Sequence, residues 1–196
     1  LDYIFNDQVK IRAGRYKIPF GTENPTGEDE LNFIEKSRIV ESVFSPREVG
    51  LGTLFNVFKF SGDSGYFQKA EDQHIERDVI GHLGVMPLGS YLDLGASGYY
   101  EHVSTDSTRF PLKRFGFDGT IHAGPFQLQG EMIWSLGELE NKKEDAFGYY
   151  GYLLYRHPIG KIPITWGARY EYFDPNKHVS GDQEIKYVGG TTIDLH

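Results

Sequence analysis

The sequence predicts an all-β, up-and-down antiparallel barrel that crosses a membrane with its strands. Three observations predict it. Apolar and polar residues alternate with period two along most of the chain, the alternating runs reach ten residues or more, and short turns alternate with long polar loops. Period two marks half-buried strands. Helical spacing never persists. Glycine fills 24 of the 196 positions, roughly one in eight against a typical ~7%, and with 13 Tyr and 14 Phe it suits many strands with ring-bearing ends.

Taken in order, a stub at Leu1–Phe5 turns at Asn6–Asp7 into a strand on which Gln8, Lys10 and Arg12 share one face. A polar loop at 21–38 follows. A short turn is expected near Gly52–Phe55, and the hairpin through Gly65 is too short for its neighbours, as if residues were absent there. A second loop is expected at 61–77 and a short turn at Pro87–Ser90. Leu92, Leu94, Ala96, Gly98 and Tyr100 then oppose Asp93, Gly95, Ser97, Tyr99 and Glu101. Beyond a loop at 103–111, Arg114, Asp118, Thr120 and His122 share a face up to the turn at Gly124–Pro125. Phe126, Leu128, Gly130, Met132 and Trp134 oppose Gln127, Gln129, Glu131 and Ser135, with Ile133 the one exception. A loop at 136–146 and a turn at His157–Lys161 lead to Ile162, Ile164, Trp166, Ala168, Tyr170 and Tyr172, which oppose Thr165, Gly167, Arg169 and Glu171. A loop at 174–183 precedes a last strand with Ile185, Tyr187, Gly189, Thr191, Ile193 and Leu195 on one face.

Strand lengths separate this pattern from a soluble sandwich, whose strands usually run about five or six residues. Phe126 and Trp134 lie eight residues apart on one face, which is roughly 26 Å of strand. Tilted by ~40°, that spans roughly 20 Å, close to the ~25 Å apolar band between the two aromatic girdles of an outer-membrane barrel. Short turns on one rim and long loops on the other fit the same architecture. About eleven strands are expected, and the even strand number of bacterial barrels implies further strands before Leu1, after His196 or both. The chain is therefore read as one partial barrel domain over 1–196, mature or trimmed at Leu1.

Composition excludes other classes. No stretch approaches the ~20 apolar residues of a spanning helix. With 28 acidic against 20 basic residues, a net charge of −8 and no Lys/Arg runs, the chain is not a nucleic-acid binder. The absence of cysteine removes disulfide frameworks, thiolate zinc sites and Cys nucleophiles.

Arg12-Ala13-Gly14-Arg15-Tyr16-Lys17-Ile18-Pro19-Phe20-Gly21 resembles the signature strand of the phosphate-selective porin O/P family. Glu35-Lys36-Ser37-Arg38 and Arg47-Glu48-Val49-Gly50 are similar to that family's next landmarks, in the same order. Arg169-Tyr170-Glu171-Tyr172-Phe173-Asp174-Pro175 is similar to its late strand ending in a Pro-containing loop. The resemblance implies a β-barrel porin of about sixteen strands, often trimeric, passing anions or small solutes across the outer membrane of a Gram-negative bacterium. The chain departs from the family in its shorter length and in lacking a basic ladder. Its 61–77 segment carries Lys69 and Arg77 but also Asp63, Glu71, Asp72, His74 and Glu76.

If the apolar faces meet lipid, the opposite faces line water. The expected pore-lining residues are Lys10, Arg12, Asp93, Arg114, Asp118, Glu131, Arg169 and Glu171, whose charges set the field for passing ions. Lys10, Arg12, Arg114 and Arg169 favour anions, and the interleaved acids blunt that preference. Segment 61–77, with Lys69, Glu71, Asp72, His74 and Arg77, is the expected constriction. Of seven histidines, only His82 and His122 fall within strands, and neither has a partner at metal-ligand spacing, so no metal, cofactor or catalytic group is expected. His102, Ser104 and Asp106 share one loop, as polar loops commonly do. Loop 136–146 is charged and faces outward, where it could hold a cation bridging lipopolysaccharide. Two other readings fit the alternation: a barrel sheathing a partner such as an electron-carrying cytochrome, and a soluble carbohydrate-binding β-sandwich.

Overall fold

The computed structural model describes the backbone of residues 1–44, 47–71, 74–103, 111–139, 142–143 and 145–193, and within these every side chain except those of 69–71, 74–76, 102–103, 138–139 and 142–143. The strands are β1 Asp2–Ile4, β2 Val9–Tyr16, β3 Glu48–Val57, β4 Phe60–Glu71, β5 His74–Val85, β6 Leu92–Val103, β7 Lys113–Ala123, β8 Phe126–Leu136, β9 Glu138–Leu139, β10 Lys142–Lys143, β11 Ala146–Ile159, β12 Ile162–Asp174 and β13 Glu184–Ile193. β9 and β10 form a separate two-residue hairpin. The other eleven make one antiparallel sheet in which each strand pairs with its neighbour in sequence, the meander expected of an up-and-down barrel. The sheet is not closed: β1 and β13 are its two edges. A single short helix, α1 Arg38–Val43, lies between β2 and β3.

One face of the sheet is apolar and uncovered among the described residues. Leu51, Val79, Leu83, Leu94, Phe117, Ile121, Leu128 and Leu153 are all exposed in mid-strand. In water such a surface would be an aggregation site far larger than monomers carry; against hydrocarbon it is at rest. Among the described residues no second layer packs on it, and the strands form one eleven-stranded meander instead of the two facing sheets of a sandwich. The rings stand in rows. Phe126, Tyr155 and Trp166 are consecutive register partners across β8, β11 and β12, with centroids 4.9 and 5.6 Å apart. Phe115, Trp134 and Phe147 repeat this eight residues along β8, where Trp134 and Phe147 are 5.3 Å apart.

Two expectations need correction. The turn joining β3 to β4 is Phe58–Lys59, with Phe58 at φ 58°, and Gly52–Phe55 lies inside β3. Gly52 is a packing glycine: a Cβ there would sit 2.4 Å from the Tyr16 hydroxyl. Neither strand is short. Segment 61–77 is likewise not a loop but the facing arms of β4 and β5, in register from Phe60↔Val85 to Glu71↔His74. Its glycines and polar residues hid the alternation, since Ser61, Asp63 and Gly65 occupy the polar face where apolar side chains are not required.

Candidate functional site

The polar face of β6, β7, β8, β11 and β12 is covered by residues 17–44, part of the long connection between β2 and β3. Ile18, Phe20, Phe33, Ile39, Val40 and Phe44 of this segment are all buried. The Gly21 N–H donates to Ser97 Oγ on β6 at 2.9 Å, and a Cβ on Gly116 of β7 would lie 2.6 Å from the Phe20 ring. The Glu23 N–H donates to Glu131 Oε2 on β8 at 3.4 Å, and Asn32 Nδ2 to the Tyr152 hydroxyl on β11 at 2.8 Å. The Arg38 N–H donates to Glu171 Oε2 on β12 at 2.7 Å. Five neighbouring strands are crossed, a span of roughly 19 Å at ~4.8 Å per strand.

The local sequence explains the path. Ile18 and Phe20 continue the period-two pattern of β2 past Pro19, so their side chains stay on the sheet side as the strand leaves the ladder. Gly21 turns the chain with φ +61°. Asn24 Nδ2 donates back to the Ile18 carbonyl at 2.9 Å, and Lys36 Nζ donates to the Asn24 carbonyl at 2.9 Å, which ties the outgoing and returning limbs together. On the sheet, Ile133 and Leu154 meet this apolar underside and are 0% and 1% exposed. Ile133 breaks the alternation of β8 because the segment, not water, is its neighbour.

The expected pore-lining residues divide into two groups. Lys10, Arg12 and Asp93 lie on the polar face with solvent access, and Arg12 is clamped by Asp2, Nε to Oδ1 at 2.9 Å and Nη2 to Oδ2 at 3.1 Å. Arg114 is half-buried, its guanidinium 4.4 Å from the Tyr99 ring centroid and 5.0 Å from that of Phe44. The second group is on the same face but buried. Asp118 pairs with His82 Nε2 at 3.1 Å. Glu131 accepts the Tyr150 hydroxyl at 3.0 Å. Arg169 and Glu171 are each 2% exposed. For Glu131, Arg169 and Glu171 the expectation of a hydrated wall is corrected, because the segment contacts each of them. Asp118 is buried in its pairing with His82 on the sheet itself.

Arg169 is the centre of the buried group. Its Nε is 2.7 Å from Glu171 Oε1 and its Nη1 3.4 Å from Glu23 Oε1. Nη1 also donates to the Glu35 carbonyl at 2.9 Å and Nη2 to the Lys36 carbonyl at 3.4 Å. The guanidinium lies 4.7 Å from the Phe33 ring centroid. Glu23 accepts the Ser37 N–H at 2.8 Å and its hydroxyl at 2.5 Å. Burial pushes the Glu23 carboxyl above its ordinary value against the pull of Ser37 and Arg169, and burial lowers the Lys36 ammonium, with Lys17 adding to it. The stretch Glu35-Lys36-Ser37-Arg38, singled out by resemblance, is thus where the wall grips the segment.

The expected constriction residues lie elsewhere. Lys69 and Glu71 belong to β4 and His74 to β5, where Lys69 pairs with Glu76 and Glu71 with His74. Asp72 lies outside the described residues. Arg77 is exposed and shares its face with Val79 and Leu83, the apolar side of the sheet. No group of three His, Cys, Asp or Glu with metal-binding geometry occurs among the described residues, and no helix is long and apolar enough to cross a membrane. His102, Ser104 and Asp106 fall where the side chains are not described. Sequence reasoning missed Glu23 and gave no inward-folded role to Ser37 or to the apolar residues of the segment. The available signals were Ile133 on a polar face and Ile39-Val40 at the end of a polar loop.

Residues 1–110 match the profile of the family described as phosphate-selective porin O and P. Among solved structures, the outer-membrane expressed OmpT of Vibrio cholerae is similar, at 10% identity over 86% of this chain and 68% of that chain, with a TM-score of 0.42. A search of curated proteins finds no match.

Proposed function

The chain belongs to the phosphate-selective porin O and P family and to the bacterial outer membrane, and from that premise we propose that it forms the wall of a passive diffusion channel narrowed by residues 17–44. One observation carries the reading. A sheet whose apolar face is left uncovered carries, on its polar face, a connection folded down across five strands. Lipid outside and water inside make both faces stable, and the segment takes up cross-section that water would otherwise fill. Permeation is then diffusion of small hydrophilic solutes, without turnover or cofactor.

The same segment weakens the sheath alternative, because it fills space that an enclosed protein would need. A mild anion preference would rest on Lys10 and Arg114, since Asp2 matches Arg12 and two carboxylates match Arg169. Lipopolysaccharide at the outer rim and a homotrimer in the membrane are the partners this reading implies. Conductance of the full protein in a planar bilayer tests it. Stepwise, ohmic currents are expected, with the reversal potential under a salt gradient reporting ion preference. A correctly inserted protein that passes no current would overturn the channel.

A further inference from the structure

We propose that Arg169 is the positioning residue that holds the 17–44 segment across the lumen and so sets the channel's aperture. The proposal rests on reading the chain as a diffusion channel. Its geometric basis is the reach of one guanidinium. The Arg169 side chain has no solvent exposure, and four of its five neighbours belong to the segment: the Glu23 carboxylate, the Glu35 and Lys36 carbonyls and the Phe33 ring. Glu23 lies on the outgoing limb and residues 33–36 on the returning one. A single side chain therefore joins both limbs to β12. Glu171, two residues on and on the same face, turns one oxygen to Arg169 and the other to the Arg38 N–H, extending the grip by one turn of chain.

Apolar burial alone does not settle whether the segment stays down. The seam between segment and wall contains Glu23 and Glu171, 5% and 2% exposed, and the guanidinium is what separates and neutralises them. Without it two carboxylates remain buried without a counter-charge, which a protein interior tolerates poorly. They recover hydration if the segment lifts. The apolar contacts of Phe20 and Ile39 then open with it, because they lie on the same short stretch of chain. A lysine in place of Arg169 keeps the charge but not the planar fork that reaches two carbonyls and a carboxylate together.

The chain has no cysteine, so a thiol pair can report and reverse the movement. A Cβ on Gly148 of β11 would lie 2.8 Å from the Ile39 Cβ and 2.9 Å from the Tyr172 carbonyl oxygen. A cysteine there requires a small local shift, and that shift brings the two Cβ atoms to the ~3.5–4.5 Å of a disulfide. The reduced double-cysteine protein is therefore the parent for every comparison. Ile39→Cys with Gly148→Cys should cross-link when the segment is down. In that background, reduced Arg169→Met should give a larger single-channel conductance and admit larger neutral sugars into liposomes than the reduced parent. Oxidation should return both to the parent's values. Unchanged conductance in reduced Arg169→Met, or an increase that oxidation does not reverse, would overturn the proposal, since a purely structural role lowers barrel stability without changing the current through each open channel. If Arg169→Met does not insert, Arg169→Lys serves: an intermediate increase is expected, and parental conductance refutes the idea. Absence of current from the parent itself would instead remove the channel reading on which this rests.

Discussion

Gly21→Ala puts one methyl group into the tightest point of the seam. Gly21 has φ +61°, a left-handed conformation that costs a residue with a Cβ about 1–2 kcal/mol. The added Cβ would also fall 1.7 Å from Glu131 Oε1 and 2.4 Å from its Cδ. Glu131 is 3% exposed and held by the Tyr150 hydroxyl and the Glu23 N–H, so it cannot swing aside into water. Forcing a carbon into such packing costs typically 1–3 kcal/mol. The two effects add to about 2–5 kcal/mol against docking, and 2 kcal/mol alone is roughly a thirtyfold loss in the docked-to-undocked ratio. Gly124→Ala is the control: it has φ +59° with nothing within 4 Å of its Cβ, and so incurs only the backbone cost. Tryptic cleavage at Lys17, Lys36 and Arg38 in detergent micelles reads docking directly. Gly21→Ala should be cut much faster than Gly124→Ala, and adding Glu131→Ala should restore protection, as a coupled pair requires. Equal cleavage rates for the two alanine variants would refute the packing argument.

Other substitutions address the two faces and the charge in the seam. Phe117→Arg, mid-strand on the apolar face, should cost about 2–4 kcal/mol of folding into phosphatidylcholine vesicles if that face meets the bilayer midplane. Asn56→Arg on the polar face should cost little, and equal losses in a urea titration would contradict the assignment of faces. Ile133→Ala should lose about 2–5 kcal/mol and expose the segment to trypsin, as for any buried aliphatic truncation; a residue facing a wet lumen would show neither effect. Because burial raises the Glu23 carboxyl in the docked state, docking takes up protons. Its contribution is complete below the ordinary carboxylate value and is lost as pH rises through the raised one. Tryptic protection should therefore fall from acid toward neutral pH, and Glu23→Gln should flatten the profile.

The outer side of this protein was far more legible than the inner. Lipid is one uniform solvent, so the rule it imposes on β6, β8 and β12 is a plain alternation, and the faces assigned from Leu94, Leu128 and Ala168 are the exposed ones. The lumen side has no single solvent. Asp93 meets water, Ile133 meets the segment, and Arg169 meets the carbonyls of Glu35 and Lys36. Alternation placed Arg169 and Glu171 on the correct face but not under cover, since strand spacing carries no information about a connection more than a hundred residues upstream. Reading 61–77 as a loop failed for a related reason. On a polar face, Ser61, Asp63 and Gly65 satisfy a strand and look like a loop. The departures were the informative positions: an isoleucine among glutamines on β8, and Ile39-Val40 beside a charged landmark.

Which charges a permeating ion meets follows from this division. Glu131, Arg169 and Glu171 are withdrawn beneath the segment, and a buried pair presents little field beyond its own dipole. The segment replaces them with its own exposed side, where Glu28, Asp29 and Glu30 are consecutive and exposed. Charges in or near water at the narrowest cross-section act most strongly on ions there, being within a Debye length of about 8 Å at physiological salt. Neutralising Glu28, Asp29 and Glu30 to their amides should therefore move the reversal potential toward anion preference, and by more than Glu131→Gln does. If Glu131→Gln has the larger effect, the ion path runs along the wall beneath the segment, and residues 17–44 do not define the aperture.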